Sequence, residues 1–543
     1  MLSGKAPVIY SDPARFFELT YPTRGLKELL RTVCQRLSGQ GGEVASIIRL
    51  GTQYGGGKTH SLIALVHTVN GLTGVPNAAD FIDTSLIPAQ KVRIAALDGE
   101  NSDPANGISP EADPDLRIRS LWGEMAYRLA GRLGYERVRV SDETHTAPGA
   151  DAIRDLFGNQ PTLILIDEVS TYLRKVERAF PGASNQFTAF VHALIKAVTS
   201  SPNVALVYTL AIAADNTGKD AYKEENERAA AALSEAESVA SRSSSNLNPT
   251  EEDETAAVLR SRLFEYVDPQ AAQTVLAAYR KLWDANKDAL PIDAVSPELA
   301  DQFASSYPLH PKLLEMFKEK TSSLINFQRT RGMLRLLART VHHLWQNQPE
   351  ETYAIHIHHL DPANERIRSE ILTKLQLSGY GSAIKADVSA VPGDELALAQ
   401  QLDQQKLPGL PPLHSFLART ILWHTFAYGE SARGISVEQL KLAVCSPAPS
   451  LEPPFIEQAR LAFLQDSIYL DDRPGAPLRF MAEANLNQII RRRMQEIDSI
   501  KVREALRKRI TELFDHPEAH STPASSRPTP MTFQTIPATN ALF

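Results

Sequence analysis

Between Ile47 and Leu62 the chain reads IIRLGTQYGGGKTHSL, and this stretch narrows the choice of fold more than any other. An apolar run, Ala45 to Leu50, stops at Gly51; small and polar residues follow, and a Lys-Thr pair then opens a helical pattern. Strand, loop and helix N-terminus in that order make a cradle for phosphate. Phosphate oxygens need backbone N–H donors at close range, a cation, and a hydroxyl for the accompanying metal. Gly55, Gly56 and Gly57 lack a Cβ, so the backbone can curl until its N–H groups converge. Lys58 is placed to reach the terminal phosphates of ATP and Thr59 to ligate Mg²⁺, while the helix dipole adds partial positive charge. Counting back from Lys58, the first glycine of the P-loop pattern falls on Thr52, with Gly51 one residue early. The loop therefore either is one residue longer or begins on a non-glycine. Gly51, Thr52 and His60 complete the expected nucleotide-binding set. Taken alone, GGGKT is also a flexible turn ahead of a helix.

A second stretch answers the first. PTLILIDEVSTYLRK sets Leu163 to Ile166 ahead of Asp167 and Glu168. A strand apolar on both faces belongs inside a parallel sheet, and here it delivers an acidic pair to its C-terminal tip, the Walker B arrangement. Asp167 is expected to hold Mg²⁺ through water and Glu168 to polarise the attacking water, so hydrolysis is expected rather than binding alone. NVALVYTL, Asn203 to Leu210, reads as a further strand. In ATPases that insert a strand between the two Walker strands, its tip carries a polar residue that senses the γ-phosphate. Thr209 holds roughly that place, and is equally an ordinary β-branched strand residue. KVRIAALDG ends in a loop that puts Asp98, Glu100 and Asn101 at the ligand-bearing end of an open α/β sheet, with solvated loop residues as the plainer reading.

The rest of the chain is organised around this core. Its 543 residues suffice for several domains. Hydrophobic residues at 43% and charged residues at 22% describe a globular protein, and a net charge of −7 argues against a general nucleic-acid footprint. Two cysteines, Cys34 and Cys445, allow no zinc quartet and fit a reducing, cytoplasmic setting. The start of the chain lacks the build of a signal peptide, and no apolar run reaches a membrane span of ~18 residues. The expected division is an extended segment and helix over 1–40, the ATPase core over 41–215, a polar helix and linker over 216–254 with a capping box at Thr250 and Asp253, and a helical lid over 255–375. A linker over 376–412, a winged helix over 413–490, a basic helix over 491–515 and a disordered tail over 516–543 follow.

In the lid, NFQRTRGMLRLLARTVHHLW carries a core stripe, Leu334, Leu337, Val341 and Leu344, with arginines largely off it. A lid of this kind often places one arginine on the γ-phosphate, and the spacing after Gly332 favours Arg335 over Arg331. Arg260 and Arg262 read as surface arginines or, in an oligomer, as a finger reaching a neighbouring subunit. YAIHIHHLD alternates like a half-exposed strand, with His356 and His358 on one face and no third ligand spaced for a metal. The winged helix combines helices over 413–428, 436–444 and 454–465 with a hairpin, Ile468 to Leu470 and Leu478 to Met481. Its third helix offers only Arg460, which suits packing against protein more than entry into a DNA groove.

Several stretches together, DPARFFELTYPTRGLKELL, LGTQYGGGKTH, LILIDE, RSRLFE, YPLHP, NFQRTRGMLRLLA and RFMAEANLNQII, resemble a bacterial and archaeal family of large P-loop ATPases catalogued as a domain of unknown function. That family is similar to the ATPases of phage-growth-limitation and bacteriophage-exclusion (BREX-type) defence systems, which are encoded beside DNA methyltransferases and helicases. The resemblance implies nucleotide and Mg²⁺ roles for Lys58, Thr59, Asp167 and Glu168, and protein partners in a defence or DNA-modification complex. Members of the family generally run longer, so a truncated or split version is expected. The expected protein is thus an AAA-like α/β ATPase with a lid and a winged helix, using ATP and Mg²⁺, able to form homo-oligomers, and regulating or driving such a complex. A DNA translocase and a nucleotide-gated switch with little turnover are the alternatives.

Overall fold

The computed structural model describes residues 6–39, 44–52, 57–211, 244–321, 324, 327, 329–349, 352–427, 429–471, 473, 475–486, 489–490 and 499–514. Five strands, β1 (Ile47–Thr52), β2 (Arg93–Asp98), β3 (Thr162–Asp167), β4 (Val204–Ala211) and β5 (Ser244–Leu247), form one parallel sheet in the order β2-β3-β4-β1-β5. The inserted strand expected from NVALVYTL is β4, lying between β3 and β1. The apolar runs are explained by burial on both faces. Ile48, Leu50, Leu163, Leu165, Ala205 and Val207 pack beneath α2 (Pro13–Glu18), α3 (Arg24–Leu37) and α4 (Lys58–Val69). Ile47, Ile164, Ile166, Leu206 and Tyr208 face α5 (Leu121–Glu136), α6 (Ala150–Phe157), α7 (Val169–Ala179) and α8 (Ala183–Thr199). Helices on both faces of a parallel sheet leave its C-terminal edge open for a ligand.

Four local expectations are corrected. From Val8 the segment expected to be extended is helical: α1 (Val8–Ser11) and α2 form, and the Asp12 carboxylate caps α2 by accepting from the Ala14 N–H at 2.9 Å, with Pro13 at the first helical position. The apolar spacing from Leu116 to Leu133 predicts one amphipathic helix, but the helix begins only at Leu121 and is broken at Ala130 and Gly131, where Gly131 takes φ 59°. The stretch read as a linker contains β5, whose polar Ser-Ser-Asn-Leu sequence pairs with β1 from Ile47 opposite Ser244 to Leu50 opposite Leu247. No capping box forms at Thr250 and Asp253; α9 (Thr255–Leu263) starts after Glu254, whose carboxylate accepts from the backbone N–H groups of Arg24 at 2.8 Å and Glu251 at 3.1 Å. Residues 216–243 of the expected polar helix and linker lie outside the described residues, as do 491–498 and 515 of the basic helix and the tail over 516–543.

Beyond α9 the chain is helical: α10 (Pro269–Ala285), α11 (Pro297–Ser306), α12 (Pro311–Glu319), α13 (Arg329–Asn347), α14 (Leu398–Lys406), α15 (Leu413–Thr425), α16 (Val437–Val444), α17 (Pro453–Asp466) and α18 (Ser499–Phe514). One hydrophobic core runs from Leu259 to Phe480 and takes in Ile384, Val388, Ala399 and Leu402 from the stretch expected to be a bare connection. The three helices expected over 413–465 form as α15, α16 and α17. Among the described residues the expected hairpin is a single antiparallel bridge, Leu470 to Phe480, with another from Leu478 to Ile435. No helix among the described residues is long and apolar enough to cross a membrane.

The histidine-rich stretch is not a half-exposed strand. It is a tight turn, Ile357–His359, sunk into the core. His356 stacks on His310 at 4.2 Å and His358 on Phe416 at 3.9 Å. His356 Nδ1 lies 2.8 Å from the Ala443 carbonyl and so carries the proton, leaving Nε2 to accept from the Tyr279 hydroxyl at 2.7 Å. Burial lowers His356 to about 4 and His424 to about 3, and pushes His310 and His358 well below the ordinary value. The unfolded chain therefore binds more protons than the folded one at pH below roughly 6.5. Stability is expected to be full above that pH and to fall as pH drops toward the folded values, by about 1.4 kcal/mol per pH unit for each such histidine. Urea unfolding at pH 7, 6 and 5 measures this; a flat profile would contradict the buried neutral cluster.

Candidate functional site

The C-terminal tips of β1, β3 and β4 converge where α4 begins. Gly51 and Thr52 end β1, opposite Leu210 and Ala211 of β4. Gly55 and Gly56 lie outside the described residues. Gly57 takes φ 84°, a left-handed conformation that favours glycine, immediately before the first turn of α4. That turn carries Lys58, which is buried, and Thr59, which is exposed.

Thr59 and Asp167, 108 positions apart, are in contact: the Thr59 hydroxyl donates to Asp167 Oδ2 at 2.8 Å. Asp167 Oδ1 accepts from the Thr209 hydroxyl, so the carboxylate is gripped from two elements. Thr209 can do this because β4 is the immediate neighbour of β3, and the same hydroxyl oxygen accepts from the Glu168 N–H at 3.2 Å. Glu168 itself adopts φ 54° and ψ 46°, uncommon for a residue with a side chain. Gly99 makes room for it, since a Cβ there would collide with the Glu168 carbonyl oxygen. The requirement for Gly99 is invisible in the sequence, because it arises between neighbouring strands.

Charge is concentrated here. Burial lowers the Lys58 ammonium from its ordinary value, opposed by the carboxylates of Glu168 and Asp167. Burial and the Asp167 charge raise the Glu168 carboxyl, opposed by Lys58. Asp98 and Glu100 border the same space. The Asp98 carboxylate, however, is tied up by its own loop, accepting from the Glu100 N–H at 2.9 Å and the Asn101 side-chain amide at 2.7 Å.

These groups form one end of a cleft of about 800 Å³. Its other walls come from elements that sequence patterns do not link to the GGGKT stretch, among them Tyr10, Thr23 and Leu26 near the N-terminus, Pro249 and Val258 around α9, and Leu334 of α13. Polar side chains, Thr20, Thr250 and Thr330 among them, are interspersed with these apolar ones.

Of the arginines, Arg262 and Arg331 line the cleft and Arg335 does not. This corrects the preference for Arg335. It lies one helical turn further along α13, where the fully buried Glu370 captures it, Arg335 Nε donating to Glu370 Oε1 at 2.7 Å. Arg339 donates to the other oxygen of the same carboxylate at 2.9 Å. Arg262 lines the cleft of its own chain. His60 lines the cleft as well, its ring stacked on Phe16 at 4.4 Å and 2.9 Å from the Thr20 hydroxyl.

No curated protein matches the chain. Two family models do, the DUF499 N-terminal domain over residues 1–246 and the DUF499 second domain over residues 250–438. The first ends inside β5 and so takes in all of the parallel sheet but the last residue of that strand, and the second begins just ahead of α9 and takes in most of the helical region. Matched over most of its length, the chain belongs to the DUF499 family.

Proposed function

We propose that this chain is an Mg²⁺-dependent ATPase with an AAA-like P-loop core. The observation that carries the reading is the contact between the Thr59 hydroxyl and the Asp167 carboxylate at 2.8 Å, with Lys58 and Glu168 beside it at one end of a cleft. A hydroxyl and a carboxylate are hard oxygen donors of the kind Mg²⁺ takes alongside phosphate. When bound, the ion supplies neutralisation of phosphate charge. Lys58 adds a desolvated cation at the terminal phosphates, and Thr209 holds Asp167 and the Glu168 backbone in place. The Glu168 carboxylate orients and deprotonates the attacking water. Tyr10, Leu26, Val258 and Leu334 in the lining offer apolar surface for a nucleobase, and insertion of β4 between β3 and β1 fits an AAA-like sheet.

The resemblance to phage-growth-limitation and bacteriophage-exclusion ATPases supports a role in an anti-phage or DNA-modification complex, with protein partners regulating turnover. Helices α15 to α17 with their short bridges are read as a winged helix used for packing. Arg460, the basic residue of α17, is engaged by Glu457 at 2.6 Å. The test is phosphate release by the purified chain with Mg²⁺-ATP or with chelator, with and without duplex DNA, beside binding of a fluorescent ATP analogue. Mg²⁺-dependent turnover indifferent to DNA is expected. Strong, salt-sensitive stimulation by DNA would favour a translocase. Failure to bind nucleotide would overturn the proposal.

A further inference from the structure

Two motifs far apart in the sequence, GGGKTH at 55–60 and RSRLFE at 260–265, meet beside the phosphate helix. Arg262 Nη2 lies 3.4 Å from His60 Nδ1 across 202 positions. The hydrogen bonds around His60 fix which of its nitrogens bears the proton. The Thr20 hydroxyl donates to the Phe16 carbonyl at 2.6 Å, so its own proton is committed. His60 Nε2, 2.9 Å from that hydroxyl oxygen, must then be the donor. Nδ1 is left as a lone-pair acceptor, the one arrangement that suits a guanidinium, which only donates. Burial, followed by the Arg262 charge, lowers His60 to about 3, so the ring is neutral at any physiological pH.

We infer that His60 is a positioning residue that holds Arg262 at the charged end of the cleft, where the guanidinium meets the terminal phosphate of a nucleoside triphosphate bound to the same chain. The inference rests on the ATPase reading. Arg262 lines the same cleft as Lys58, Thr59 and Glu168, and among the described residues no carboxylate pairs with it. Arg24, by contrast, donates to Asp253 at 2.6 Å, and Arg335 is committed to Glu370. His60 follows Thr59 directly, so the ring that steers Arg262 is carried by the helix turn that meets the phosphates. Arg262 stands on α9, the first helix after the sheet, so the pair ties the state of the phosphates to the placement of the helical region.

Two isosteric variants separate the functions of the ring. His60→Gln places an amide N–H near Nε2 and keeps the Thr20 bond; His60→Asn places an acceptor near Nδ1 and keeps the Arg262 contact. Arg262→Ala is expected to lower kcat by roughly 10²-fold or more and to weaken ATP binding while leaving ADP binding at its wild-type level, which also reports an intact fold. His60→Gln is expected to do the same to a smaller degree, His60→Asn to recover part of that loss, and His60→Gln with Arg262→Ala to be no worse than Arg262→Ala alone. Additive losses, or equal losses of ATP and ADP affinity, would overturn the inference while the ATPase reading stands. A wild-type chain that binds no nucleotide would remove that reading itself.

Discussion

Glu168→Gln is expected to lower single-turnover ATP hydrolysis by about 10²–10⁴-fold, the usual contribution of a positioned general base, while nucleotide affinity stays near wild type. The amide has the shape of the carboxylate but cannot take a proton from water. The backbone at this position is held independently of the side chain: the Glu168 N–H donates to Thr209 Oγ1 at 3.2 Å and to Asp167 Oδ1 at 3.1 Å. The variant should therefore keep the left-handed conformation, and with it the arrangement of Lys58 and Thr59 on α4. Measuring hydrolysis and fluorescent-nucleotide binding on the same preparation separates chemistry from binding. Turnover at the wild-type rate would place the base elsewhere.

The largest effect on stability is expected from Glu370→Ala. Its carboxylate is fully buried, and burial alone would raise its pKa, yet the Arg335 hydrogen bond and the charges of Arg335 and Lys374 hold it below the ordinary value. Removing one partner of a buried charge cluster leaves the others uncompensated and costs about 3–5 kcal/mol. Arg335 and Arg339 keep 24% and 23% of their side-chain surface, so the loss should fall toward the lower end of that range. Urea unfolding of the variant beside Glu370→Gln, which retains one acceptor, measures it. A cost under about 1 kcal/mol is what a solvent-screened surface pair would give, and would contradict the burial of Glu370.

What the sequence disclosed and what it hid divide along physical lines. The strands β1, β3 and β4 were legible because each is an apolar run buried on both faces, a property of the local residues alone. Helix α4 was legible from the Gly57-Lys58-Thr59 transition for the same reason. β5 was not: Ser244 to Leu247 has no strand pattern of its own and is extended because β1 offers it a ladder of backbone groups. Likewise, choosing between Arg331 and Arg335 required knowing where Glu370 lies, a residue 35 positions beyond Arg335 in the chain. The histidines at 356–359 alternate as a strand would, but their environment is set by Tyr279, His310 and Phe416, each contributed by a different helical segment.

β5 also guards the fold. As the outermost strand it covers the flank of β1, whose backbone would otherwise stand as an open edge, a template for pairing with another chain. The cover is fastened at its far end. Thr23 donates to the Pro249 carbonyl at 2.5 Å, and the Arg24 guanidinium reaches Glu251 at 2.8 Å and Asp253 at 2.6 Å. The boundary between the two family models, at residues 246 to 250, runs through this fastening. A cut there would leave the sheet's guard strand untethered on one side and strip Arg24 of its carboxylates, so the two matched regions, separable as sequences, share a seam that neither can complete alone.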